Sequence, residues 1–341
     1  MLIQQIIRYY HIIEQISSCD SIMKDKPILP PIAKKKFEKI YGLAGNHSGI
    51  QICSWTKRAI RDKGVCYKQI FYGAECHRCA QMSPALAWCQ ENCIFCWRPM
   101  EWMKQIKMDP KQVDEPEEII QKTVEARKKL IVGIGGAHDV NKKLFQESLN
   151  KFPSHWAISL SGEPTIYPKL AEMIKQLKSN PEVKTVYLVT NGQEPKRLKE
   201  LKKKKSLPTQ LYISVSAPNE ILFKKINKSL YEDGWKKLLE SLEFLSKVGC
   251  STVIRFTVIK GLNDKDEYLE EYAKLFEKSK TRFIEVKSYM FIGLSRDRLK
   301  IENMPYYKDI VEYSKKLAKH LPNYKIVDAH PPSRIVLFKR K

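Results

Sequence analysis

The stretch Cys89-Gln90-Glu91-Asn92-Cys93-Ile94-Phe95-Cys96-Trp97 puts three cysteines on one short loop, spaced by three and then two residues. Three thiolates so placed can hold three corners of a cubane [4Fe–4S] cluster. No fourth Cys or His follows at short range, which leaves one iron open to a further ligand. A structural zinc site is the alternative, but it is closed by four protein ligands. Plain core cysteines are the other.

With Phe95 and Trp97 around it, this spacing resembles the signature of the radical S-adenosylmethionine (SAM) superfamily. That resemblance implies SAM chelated on the open iron. It also implies an electron from the cluster that releases a 5′-deoxyadenosyl radical, chemistry that belongs to the cofactor.

Outward from the loop, 341 residues with 43% hydrophobic content, 14 Gly and 18 Pro describe a globular chain with room for a sizeable core. Its 61 Lys and Arg stand against 38 Asp and Glu, a formal charge of +23. A thermophilic habit would enrich both signs together. The one-sided excess points to a polyanionic partner, nucleic acid ahead of a membrane surface. Most of the nine cysteines crowd into residues 53–96 beside no signal peptide, which favours metal ligation in a reducing cytoplasm over a disulfide scaffold. Met1–Ser18 has apolar residues at helical spacing broken by Arg8, His11 and Glu14, so it reads as neither h-region nor membrane span.

Upstream, Cys53, Cys66 and Cys79 fall just before the loop in a stretch rich in Lys, Arg and Tyr. They read as a second metal site, with Cys76-His77-Arg78-Cys79 as a competing zinc-like pair. No role follows from spacing for Cys19, Cys76 or Cys250. Gly42–Gly49 is glycine-rich and reads as loop, with His47 an ordinary loop histidine. Downstream, Asp114–Glu118 opens an amphipathic helix running to about Leu130, acidic at its positive dipole end. Val132-Gly133-Ile134-Gly135-Gly136 then reads as a helix-to-helix turn, since no strand precedes it.

From residue 155, apolar runs at 156–160, 185–189, 211–215, 252–258 and 283–286 alternate with helical segments. That is the pattern of a parallel sheet buried on both faces, with ligands at the carboxyl ends of its strands. Polar groups gather at those ends: Ser161-Gly162-Glu163, Thr190-Asn191, and Ser214 with Ser216. Arg255 lies inside an apolar strand, where it needs a partner: a ligand carboxylate, or Glu285. Asn263 and Lys287-Ser288-Tyr289 are further candidates for the pocket. The run Lys196–Lys205 and Lys224, Lys225 and Lys228 suit a phosphate backbone, or simply a solvated helix face.

Two cysteine triads in this order, Cys53/Cys66/Cys79 and Cys89/Cys93/Cys96, resemble those of the archaeal tRNA 4-demethylwyosine synthases, over about Ile50 to Phe291. The resemblance implies an α/β fold, an incomplete parallel (β/α) barrel of radical SAM type, holding two [4Fe–4S] clusters. Four regions are expected: an N-terminal helical and basic extension (1–50), a second-cluster segment (51–82), the barrel (83–300), and a C-terminal helix and strand (301–341). The segment similar to Gly-Gly-Glu-Pro implies that Ser161, Gly162 and Glu163 bind the SAM ammonium, with Thr190, Asn191, Ser214, Ser216 and Arg255 as other SAM contacts.

The implied reaction joins pyruvate carbons to N1-methylguanosine beside the anticodon of tRNA-Phe. With no flavodoxin-like domain in the chain, an external flavodoxin or ferredoxin is the expected electron donor. Lys68, in Cys66-Tyr67-Lys68, is the candidate amine for the keto acid, since a desolvated lysine can form a Schiff base. A solvated lysine or a phosphate contact is the alternative at that position. Two rival functions are a sulfur-inserting radical SAM enzyme on tRNA and a non-catalytic zinc RNA-binding protein.

Overall fold

The computed structural model describes residues 29, 31–100, 103 and 105–341. The readings of Met1–Ser18 and of Cys19 lie outside the described residues. The described chain folds around one ten-stranded sheet.

Six strands run parallel and in sequence order: β3 (Cys79–Ser83), β4 (His155–Ile158), β5 (Thr185–Thr190), β6 (Gln210–Val215), β7 (Ser251–Val258) and β8 (Phe283–Ser288). Helices α6 (Leu170–Ser179), α7 (Pro195–Lys203), α8 (Glu220–Ile226), α9 (Gly234–Leu245) and α10 (Leu269–Ser279) make the crossovers. Both ends of the parallel array are capped by antiparallel strands. A hairpin of β1 (Gly42–Ala44) and β2 (Ser48–Gln51) pairs through β2 with β3. At the other end β10 (Ile335–Arg340) pairs with β8 and with β9 (Tyr324–His330). An antiparallel neighbour ends the βα repeat, so the barrel stops at six parallel strands and stays open.

The strands are two-faced. Val186, Leu188, Leu211, Ile213, Ile254, Phe256, Ile284 and Val286 are fully buried beneath the helices. The alternate positions, Tyr187, Tyr212, Ser214, Arg255, Glu285 and Lys287, face the barrel interior. The lumen is therefore polar where an ordinary closed barrel is filled with branched apolar side chains.

Helix α4 (Pro116–Val132) has Pro at its first turn and Glu117 and Glu118 beside it, as its sequence implied. Its stripe Ile119, Thr123, Arg127 and Ile131 is buried. The glycine-rich turn after it leads into α5 (Lys142–Asn150). Ile131 and Ile134 pack on Ile52 and Ile60, which fixes the segment bearing the first cysteines on the barrel's flank.

Three local readings are corrected. Gly42–Gly49 is a β-hairpin, reversed by Gly45 at φ +81 and hydrogen bonded across to β3. His47 is buried, with Nδ1 2.6 Å from the Pro84 carbonyl and Nε2 accepting the Asp114 N–H at 2.9 Å. After β8 come α11 (Tyr307–Ala318) and the two strands β9 and β10, where the sequence indicated one strand. Among the described residues no helix is long and apolar enough to cross a membrane.

Candidate metal and cofactor site

The Cys89–Trp97 loop lies across the carboxyl ends of the first strands and is held there by backbone. Glu163 N–H donates to Trp88 O at 2.7 Å, Cys89 N–H to Gln105 O at 3.0 Å, and Ile94 N–H to Ile226 O at 2.9 Å. Gly162, at φ +68, lets the β4 end touch this loop: a Cβ there would lie 1.8 Å from Ala85 O. On the far side Leu294 N–H donates to Trp97 O at 3.0 Å, and Arg298 binds the carbonyls of Ile94 and Cys96.

Burial, the Glu91 carboxylate and the neighbouring thiols push the Cys89 and Cys93 thiols well above the usual range. Such a donor set suits metal, because coordination neutralises thiolate charge that burial otherwise disfavours. Among the described residues no three Cys, His, Asp or Glu side chains converge closely enough for a single ion.

Next to the loop, Glu163 is buried and held by four donors. Its Oε1 accepts from Thr165 N–H at 3.0 Å, Thr165 Oγ1 at 2.5 Å and Thr190 Oγ1 at 2.7 Å, and its Oε2 from Asn191 N–H at 2.8 Å. Burial raises its pKa against these donors. Asn191 Nδ2 in turn reaches the Cys89 sulfur at 3.9 Å. The structure thus brings Gly162, Glu163, Thr190 and Asn191 to the cysteine loop. Ser161 is beside them, its Oγ donating to Leu86 O at 2.9 Å.

Ser214 is half-buried in the lumen, level with Arg255 in the sheet register. Ser216 is buried with no partner for its hydroxyl among the described residues. Asn263 does not line a pocket: its side chain binds Ser216 O, Thr257 O and Ile259 N–H, tying two strand ends together.

Arg255 belongs to a different group. Its guanidinium pairs with Glu285 (Nε to Oε2 3.3 Å) and binds Tyr67 Oη at 2.5 Å. Glu285 Oε1 also accepts from Tyr72 at 2.9 Å and Tyr212 at 3.1 Å. Glu285, which is fully buried, thus has Arg255 and two tyrosine hydroxyls as partners, the condition under which a buried charge is tolerated. Glu285 was the alternative partner for Arg255 in the sequence, and it is the one the structure supplies.

Cys53, Cys66 and Cys79 line one pocket with Lys68, Trp55 and Tyr187. Cys53 caps α2 (Ser54–Ile60) and Cys66 precedes α3 (Tyr67–Tyr72), so each helix start presents a sulfur to the pocket while Cys79 opens β3. Cys76 is also there, its sulfur accepting the Cys66 N–H at 3.0 Å. The sequence offered Cys76 only as half of a competing zinc-like pair with Cys79, and the structure places it in the pocket of the triad. A hydrogen bond from Cys76 lowers the Cys66 thiol to about 7.

Lys68 Nζ stands over the Tyr187 ring at 4.2 Å and the Tyr212 ring at 4.9 Å. Burial and the nearby Arg255 guanidinium lower its pKa. Lys287, half-buried and also lowered, to about 8, donates to Ser333 O at 3.0 Å. The tyrosines that wall these amines were not singled out in the sequence, because an aromatic in an apolar strand looks like core.

The basic run on α7 is partly neutralised: Arg197 and Lys204 pair with Glu200, and Lys204 also with Glu172. Much of it is a solvated helix face.

Comparison with known proteins agrees with this geometry. Residues 84–276 match the Radical SAM superfamily, and residues 278–340 the family described as Wyosine base formation. A Pyrococcus horikoshii protein named S-adenosyl-L-methionine-dependent tRNA 4-demethylwyosine synthase is 44% identical over 92% of this chain and 90% of its own. Its namesake from Methanocaldococcus jannaschii is 37% identical over 86% and 91%. A solved structure described as TYW1 with a lysine-pyruvate adduct bound superposes with a TM-score of 0.79, at 36% identity over 92% of this chain and 97% of that one. One described as archaeal TYW1 gives 0.73, at 32% identity over the same shares. This chain is an enzyme of the radical SAM superfamily that takes SAM and a [4Fe–4S] cluster, and it belongs to the tRNA 4-demethylwyosine synthases.

Proposed function

We propose that the chain joins carbons of pyruvate to N1-methylguanosine at position 37 of tRNA-Phe, forming 4-demethylwyosine. When bound, the Cys89/Cys93/Cys96 cluster and SAM supply a radical that removes hydrogen from the N1-methyl group. Glu163, held by Thr165, Thr190 and Asn191, orients the ammonium of SAM, and Ser161, Gly162, Ser214 and Ser216 shape the pocket around it. Arg255, positioned by Glu285, faces the lumen shared by both substrates.

Cys53, Cys66 and Cys79 hold a second cluster, and Lys68 beside them forms a Schiff base with the pyruvate ketone, releasing water. An external flavodoxin or ferredoxin delivers electrons. The four regions drawn from the sequence then serve as basic extension, second-cluster segment, radical barrel and C-terminal cap.

One observation carries this reading: the half-buried Lys68 side chain sets its amine over two tyrosine rings in the pocket of the second cysteine triad. Desolvation favours the neutral, nucleophilic amine. The solved TYW1 with its lysine-pyruvate adduct supports the same chemistry. The test is an anaerobic reaction of the reduced enzyme with SAM, methylguanosine-containing tRNA and carbon-labelled pyruvate. Label enters the base on this reading. Unlabelled product, or base conversion without pyruvate, refutes it and favours a sulfur-inserting or other radical modification.

A further inference from the structure

The second-cysteine pocket has an aromatic wall that the reaction above leaves without a task. Trp55 lines it with Cys66 and Lys68 and stays partly exposed. It is carried one residue into α2, whose start is fixed by Thr56 N–H and Oγ1 on the Cys53 sulfur at 3.4 and 3.3 Å. The Arg58 guanidinium lies 5.1 Å from the indole centre. His330, from β9, stands edge-on at 5.3 Å and 63°.

Burial and the charges of Lys287 and Arg58 lower the His330 pKa. Its Nδ1 is 2.9 Å from Ser333 Oγ, and Ser333 O receives the Lys287 amine. Trp55 and Lys68 thus border one pocket, and Lys287 is tied to it through Ser333 and His330. Exposed Lys57 and Arg58 lie on its outer side.

The Trp55 ring has two polar neighbours. These are a guanidinium and an imidazole, groups that stack on bases or contact phosphate. We infer that Trp55, flanked by Arg58 and His330, is the stacking platform for an unpaired base of the RNA loop that enters beside Lys68. The inference rests on the proposed RNA reaction and adds its point of entry. A duplex offers no free base face to such a ring, whereas a splayed loop does.

The test measures binding of methylguanosine-containing anticodon stem–loop RNA to the holoenzyme. Trp55→Leu keeps an apolar cover and is expected to weaken binding about ten- to a hundredfold, while Trp55→Phe retains most of it. An abasic site at the target position or an adjacent one should cost the wild type a similar factor and cost Trp55→Leu little. Binding is compared at equal iron content per chain, so that a loss of cluster is not read as a loss of stacking. Trp55→Leu binding as tightly as wild type, or its loss simply multiplying with every abasic loss, overturns the inference.

Cross-linking of 4-thiouridine-substituted loop RNA to wild-type holoenzyme checks it without a variant. Attachment to Ser54–Ile60 supports the platform, and attachment confined to other segments overturns it. Failure of pyruvate label to enter RNA, with Trp55–base coupling intact, would refute the reaction and leave the platform.

Discussion

Asn191 donates its backbone N–H to Glu163 Oε2 at 2.8 Å, and this bond joins the ends of β4 and β5 beside the Cys89 sulfur. Three more donors from Thr165 and Thr190 converge on Oε1. An amide at this position must turn an N–H toward one of these donors. Glu163→Gln should therefore weaken SAM binding by about 1–3 kcal/mol, read by equilibrium binding to the cluster-loaded protein. Unchanged affinity would remove Glu163 from the SAM site.

Gly162 packs directly on the backbone that leads into the cysteine loop. A methyl group there meets Ala85 O at 1.8 Å and Trp88 O at 2.6 Å, from a backbone at φ +68. Both carbonyls are main chain and cannot swing aside. Gly162→Ala should destabilise the protein by about 2 kcal/mol or more and lower its iron content. Denaturant midpoints with an iron assay check both.

Four thiols share the second pocket, but the resemblance to known triads assigns only Cys53, Cys66 and Cys79 as ligands. Cys76 sulfur accepts the Cys66 N–H, a structural task. Cys66→Ala should remove about four of about eight iron atoms per chain and Cys76→Ala about none. Equal loss from both would make Cys76 a ligand.

His155 is buried at the start of β4, Nδ1 2.7 Å from Thr185 Oγ1, and burial lowers its pKa to about 4 from 6.5. The unfolded chain binds this proton near pH 6.5 and the folded chain only near 4. Stability is thus fully present above that upper value and is lost as pH falls toward the lower one, by about 3 kcal/mol. His155→Gln should flatten this acid limb in denaturant titrations from pH 7 to 4; an unaltered slope would assign it to other groups.

Five of the six parallel strands were legible because their apolar runs are flanked by helical segments. Cys79-Ala80-Gln81-Met82-Ser83 was not, having neither branched residues nor aromatics, although Ala80 and Met82 are its buried face. The hairpin at Gly42–Gln51 was hidden by glycines that mark both loops and tight hairpins. Cys89, Cys93 and Cys96 declared themselves through spacing, since metal geometry is local. The Arg255–Glu285–Tyr67–Tyr72–Tyr212 network could not do so. Its members come from four strands or helices, and only folding shows that they share the lumen.

Everything distinctive in the account depends on the amine between Tyr187 and Tyr212. The direct measurement incubates the wild-type enzyme with carbon-labelled pyruvate, reduces any Schiff base with borohydride, and maps the label by peptide mass spectrometry. The account predicts one labelled peptide with the adduct on Lys68, absent from Lys68→Met, which still cleaves SAM while product formation falls by about two orders of magnitude or more. Label on a different lysine, or a Lys68→Met enzyme that turns over as the wild type does, contradicts it.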